Sequence, residues 1–159
     1  EIREELLGPN HPTVATALDV LGGVHRARGA LDASLAAQTR ALAIRREALG
    51  ADHPEIGVSA NNLGLLEQRR GNFDAAQTLF EEAVAVAEQA FGPEHPAVAT
   101  ALNNLGRLHH LRGDYDKAQA RLERALQIRE ARLGGDDLDV AVTLQNLGQL
   151  RLVRGDRLG

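Results

Sequence analysis

The chain has 159 residues, 43% of them hydrophobic, and a net charge of −4. It contains no cysteine, which excludes disulfides and thiolate metal sites, and no apolar run approaches the roughly 20 residues that span a bilayer. The acidic balance argues against a nucleic-acid surface, and without a signal-peptide pattern the expected setting is cytoplasmic, with no membrane partner.

In chain order, residues 1–7 (EIREELL) align with AIRREAL at 43–49 and read as the tail of a preceding helix. From Gly8 onward one pattern recurs. It runs GPNHPTVATALDVLG at 8–22, GADHPEIGVSANNLG at 50–64 and GPEHPAVATALNNLG at 92–106, with a worn copy, GGDDLDVAVTLQNLG, at 134–148. Gly8, Gly50, Gly92 and Gly134 are 42 residues apart, and the Leu-Gly pairs ending at Gly22, Gly64, Gly106 and Gly148 keep that interval. So do the Arg-Gly pairs ending at Gly29, Gly71, Gly113 and Gly155. The chain therefore divides into full repeats at 8–49, 50–91 and 92–133, with a partial repeat at 134–159, as a single array over 1–159.

Each repeat predicts two helices. Val98, Leu102, Leu105 and Leu108 or His109 form an apolar stripe at helical spacing in the third copy. Pro12, Pro54 and Pro96 suit a first helical turn, where the missing N–H is no loss, and Gly29, Gly71 and Gly113 suit the position just past a helix end. A second helix is expected to begin near Asp32, Asp74 and Asp116 and to end near Leu49, Phe91 and Leu133. Each helix is then about 17 residues and about 25 Å long. Gly22, Gly64, Gly106 and Gly148 fall in mid-helix at a cost of about 1 kcal/mol each relative to alanine, which implies a close neighbour. The matching small positions on the second helix are Ser34, Ala76 and Ala118, with Ala41, Ala83 and Ala125. Leu31, Phe73 and Tyr115 are the expected wedges at the hairpin. A helix pair of this kind cannot bury its apolar face alone, so neighbours stack into a solenoid.

The Leu-Gly pair, the Gly-x-Tyr/Phe-Asp turn and the paired alanines resemble the tetratricopeptide repeat, over essentially the whole chain. The 42-residue period and the HPxVA start of the repeat are similar to the kinesin-light-chain type. The resemblance implies an all-α fold, a right-handed solenoid of stacked antiparallel helix pairs. The fourth copy departs from it, with Asp137-Leu138 in place of His-Pro.

The repeated histidines could suggest a metal ladder at His11, His53 and His95. Zinc needs ligands within about 2.1 Å of one ion, whereas equivalent positions in stacked helix pairs are separated by roughly 8–10 Å. No metal is expected. The imidazoles are expected instead to bond local backbone where one helix hands over to the next, and His25 and His109 to lie in or near the core. Acid pairs such as Glu4-Glu5, Glu81-Glu82 and Asp136-Asp137 are adjacent and diverge by about 100° on a helix. No catalytic constellation or phosphate loop is present, so neither enzyme activity nor a cofactor is expected.

The face of the first helix opposite its apolar stripe remains. It carries Arg26 in the first copy, Asn61, Asn62, Gln68 and Arg69 in the second, Asn103, Asn104, Arg107 and His110 in the third, and Asn146 in the fourth. In resembling proteins this row lines a concave groove that holds an extended peptide. An amide offers both donor and acceptor and can pair with a peptide bond of any sequence. The same asparagines could instead hydrogen-bond the adjacent helix and align the repeats. The arginines favour an acidic partner segment. The expected function is therefore recognition of a protein or peptide partner in that groove. The alternatives are a passive spacer or oligomerisation arm, associating end to end through uncapped termini, and a sensor array of a larger bacterial signalling ATPase.

Overall fold

The computed structural model describes residues 7–133, 135 and 137–155. Of the helix tail expected at 1–7 only Leu7 is described, and it is helical; residues 1–6, Gly134, Asp136 and 156–159 lie outside the described residues. Among the described residues there are seven helices and no strand. They are α1 (Pro12–Ala27), α2 (Leu31–Leu49), α3 (Pro54–Arg69), α4 (Phe73–Phe91), α5 (Pro96–Arg112), α6 (Tyr115–Leu133) and α7 (Leu138–Arg154). They form two compact units, Glu1–Val86 and Ala87–Gly159, with the boundary inside α4.

The first helix of each pair starts as its sequence dictates. Pro12, Pro54 and Pro96 open α1, α3 and α5, and the preceding histidine caps each one. The Nδ1 atoms of His11, His53 and His95 accept the backbone N–H two residues on, at 3.3, 3.3 and 3.2 Å. This satisfies a donor that has no partner inside the helix. The worn fourth copy keeps the function with different chemistry. Asp137 accepts from the Asp139 N–H at 2.8 Å and caps α7. Each hairpin then turns on a glycine in the left-handed region, at φ +75° for Gly29, +81° for Gly71 and +82° for Gly113. The next N–H reaches back to the carbonyl of His25, Glu67 or His109 at 2.9 Å. The second helices begin one residue earlier than the acids suggested, on the wedges Leu31, Phe73 and Tyr115.

The mid-helix glycines show how the pairs close. An added Cβ would meet Phe80 ring carbons at 2.7 Å from Gly64, Leu122 Cγ at 2.7 Å from Gly106, and Gln38 Cγ at 2.8 Å from Gly22. The sequence matched these glycines to small residues 12 positions on. The tightest contact is instead a large side chain 16 positions on, while the small residue brings its carbonyl close, as Ser34 and Ala118 do. Ser34 also donates its hydroxyl to the Gly22 carbonyl at 2.7 Å.

In the first unit α1 packs on α2 and α2 on α3. Leu42, Ile56, Leu63, Leu66 and Val86 form one buried cluster, and Val14, Ala15, Ala41 and Ile44 another. In the second unit α6 packs on both α5 and α7, and Leu122, Leu147 and Leu150 lie at the join.

Candidate functional site

The apolar stripe is buried on α3 and α5, while on α1 Leu21 and Val24 and on α7 Leu144 are exposed; the row opposite the stripe is the candidate surface for a ligand. In the first unit Arg26 on α1 and Asn62 and Arg69 on α3 are exposed, while Asn61 and Gln68 are half-buried. In the second unit Arg107 is exposed, and Asn104, His110 and Asn146 are half-buried. Asn103 is only 5% exposed. Its Oδ1 accepts a hydrogen bond from Asn146 Nδ2 at 2.9 Å, which ties α5 to α7. Asn61, Gln68, Asn104 and Arg107 also take part in interactions within the chain. The His110 ring lies 6.0 Å from that of Tyr115 at a tilt of 58°. In the first unit the row also contains exposed apolar side chains, Val20 and Val58, where the second unit has Asn104 and Thr100.

Sequence reasoning missed two buried arginines. Arg45 on α2 reaches three partners: Nη2 donates to Asp19 Oδ2 at 2.5 Å, Nε to Glu55 Oε2 at 2.9 Å and Nη1 to Ser59 Oγ at 2.8 Å. Burial disfavours its charge, but the bonds to Asp19 and Glu55 together outweigh that and hold its pKa above the ordinary value. Arg129 on α6 is the same residue two periods later and is less well matched. Its Nη1 donates to the Asp139 carbonyl at 2.8 Å and to Thr143 Oγ1 at 2.5 Å, while the Asp139 carboxylate stays 3.7 Å from Nη2. Its Nε is buried with no hydrogen-bond partner among the described residues. Here burial wins over the attraction of Asp139 and Asp137, and the pKa is lowered. The signal was present as covariation inside the sequence. Arg45 goes with Glu55 and Ser59, Arg129 goes with Asp139 and Thr143, and the middle copy has Ala87, Ala97 and Ala101 at all three places.

His109 is buried as its place on the stripe suggested. Burial pushes its pKa down despite Asp114, whose Oδ2 lies 3.4 Å from Nδ1, and Lys117 and Arg121 push the same way. Among the described residues no group of three or more histidine or acid side chains is placed to hold a metal ion. No helix there is long and apolar enough to cross a membrane.

The tetratricopeptide repeat family model matches residues 1–47, 21–79, 55–131 and 111–157. The chain belongs to the tetratricopeptide repeat family. No curated protein matches it. Among solved structures this tetratricopeptide repeat chain is similar to BtubC (BKLC) from P. vanneervenii, with 28% identity and a TM-score of 0.84 over 92% of the chain. It spans 59% of the length of that protein. It is also similar to a kinesin light chain-like protein of nearly identical TPR-like repeats from Podosopora anserina. That likeness has 22% identity, a TM-score of 0.83, and coverage of 98% of this chain and 74% of that one. A second crystal structure of the same protein gives a TM-score of 0.82 at the same identity and coverage. These likenesses carry the kinesin-light-chain type of repeat and the all-α fold expected from the period. Tetratricopeptide repeats serve in general as protein-interaction scaffolds rather than catalysts.

Proposed function

We propose that the chain is a recognition module that holds an extended peptide of a protein partner along the polar row of its first helices, within a single array of repeats 8–49, 50–91, 92–133 and 134–159. The amide row carries this reading: Asn61 and Asn62 on α3 in one unit, and Asn103 and Asn104 on α5 with Asn146 on α7 in the other. Amides bind peptide backbone without regard to sequence, and the flanking Arg26, Arg69, Arg107 and His110 bias the choice toward acidic segments. Gln68 adds another amide at the far end of the α3 row.

Selection from a display library of random short peptides is the direct test, run beside an Asn104→Ala, Arg107→Glu double variant. Peptides that bind the parent are expected to lose at least about tenfold in affinity to the variant. Peptides that bind both proteins alike would place recognition elsewhere and end this reading.

A second reading, self-association, rests on α7. In α5 the equivalents Ala99, Leu102 and Gly106 are buried, and α6 covers Gly106. In α7 Ala141 is exposed, Leu144 is 48% exposed and nothing lies within 4 Å of a Cβ at Gly148. If this face joins copies, sedimentation will show oligomers that Leu144→Glu dissolves. A strict monomer at high concentration removes the second reading.

A further inference from the structure

The repeat register shows what covers a first helix on the side of the preceding repeat. On α3, Leu63 and Leu66 are 5% and 1% exposed, packed in one cluster with Leu31, Leu35 and Leu42 of α2. Charge closes the end of this joint. Arg70, just past α3, lies with Nη2 at 3.0 Å from Oδ1 of Asp32 in the first turn of α2. The start of α2 therefore meets the end of α3, as in an antiparallel pair. One period earlier the same places on and just past α1 are Leu21, Val24 and Arg28. There the leucine is 46% exposed, the valine is 42% exposed, and the arginine is exposed as well. The seat is the same, and on α1 it is open.

We propose that α7 of a second copy docks antiparallel on this face of α1, so that copies join head to tail. The inference rests on the self-association reading above and names the surface that the open face of α7 meets. α7 has what the seat requires. Its exposed stripe is Leu138, Ala141, Leu144, Gly148 and Leu152, at the spacing of one helix side. Its start is acidic, with Asp137 at the cap and Asp139 in the first turn, whereas α1 ends on His25, Arg26 and Arg28. An antiparallel approach sets acid against base, as Asp32 meets Arg70 within the chain. Pairing α7 with α7 would leave Leu21 and Val24 of both copies in water, whereas the head-to-tail joint covers apolar surface on both partners. Because the joint uses unlike surfaces, a dimer still has one α1 face and one α7 face open, and association continues.

The test is sedimentation velocity over a range of concentrations on the full chain, on Leu21→Glu, on Leu144→Glu and on an equimolar mixture of the two variants. The parent is expected to grow past dimer as concentration rises. Each variant alone is expected to be monomeric, because each lacks one half of the joint. The mixture is expected to form a dimer and stop there, since one variant brings an intact α7 and the other an intact α1. A parent that stops at dimer, a Leu21→Glu chain that still self-associates, or a mixture that stays monomeric overturns the head-to-tail joint. In each of these the parent still associates, so the reading beneath survives. A strictly monomeric parent, or oligomers that Leu144→Glu leaves intact, overturns both. A disulfide trap covers the case of a variant that misfolds. The chain has no cysteine, so Arg28→Cys mixed with Leu138→Cys is expected to cross-link as a pair. Leu138→Cys that cross-links only with itself would place α7 against α7 and overturn the proposal.

Discussion

Replacing Arg45 with methionine is expected to destabilise the protein by about 2–3 kcal/mol, whereas the same change at Arg129 costs less than about 1 kcal/mol or stabilises it. The side chains are similar in length and the positions are equivalent in the repeat, so the difference isolates how well each buried charge is matched. Arg45 holds Asp19 and Glu55 and also the hydroxyl of Ser59. Without it two carboxylates lose their shared cation and the buried Ser59 hydroxyl loses the donor it accepts from. Both acids retain contact with water, which keeps the cost below that of breaking a fully buried pair. Arg129 gives back less when it leaves. Its Nε is unpartnered, its carboxylate is distant, and Thr143 keeps a second bond, donating its hydroxyl to the Asp139 carbonyl at 2.9 Å. The middle copy shows that the position accepts an apolar residue, since Ala87 and Ala101 are buried there. Urea denaturation of the two variants decides the matter. Equal losses would mean that packing of the stem, and not charge matching, governs both sites.

Gly106→Ala is expected to destabilise by about 1–2 kcal/mol, because overpacking a filled core costs more than the gain in helix propensity returns. Gly148→Ala, at the equivalent place one repeat later, is expected to stabilise by up to about 1 kcal/mol. At Gly106 the new methyl would lie 2.7 Å from Leu122 Cγ and 3.2 Å from the Ala118 carbonyl. Leu122 is fully buried, and its branch carbon cannot move without carrying both methyls into neighbours. At Gly148 there is nothing within 4 Å to meet. Only the propensity term remains. Thermal or urea unfolding that moves the same way for both substitutions would show that the glycines are tolerated for some reason other than close approach.

Much of the fold was legible because its determinants are local. Proline at the first turn, histidine or aspartate before it and glycine after the last turn act within a few residues, and all fall where the 42-residue register put them. Asp137 shows that a cap is read by chemistry and not by identity: an acid replaced a histidine and the helix still begins there. The candidate site was legible in part. Helical periodicity picks out the row that carries Asn62, Asn104 and Arg107. It does not say that Asn103, one position away from Asn104, is buried and bonded to Asn146.

The sequence by itself determined the repeat, the helix limits to within a residue and the family. These follow from spacing and from backbone preferences that each segment carries alone. The tertiary structure alone decided which side chain fills the space over each mid-helix glycine, and it was the residue 16 positions on, not the small one at 12. It also decided that Arg45 is neutralised by two carboxylates at close range while Arg129 is not. Those outcomes depend on the distance and angle between helices, and a buried charge is stable or strained according to contacts measured in tenths of an ångström. No periodicity encodes such distances, which is why two arginines in identical register differ in environment.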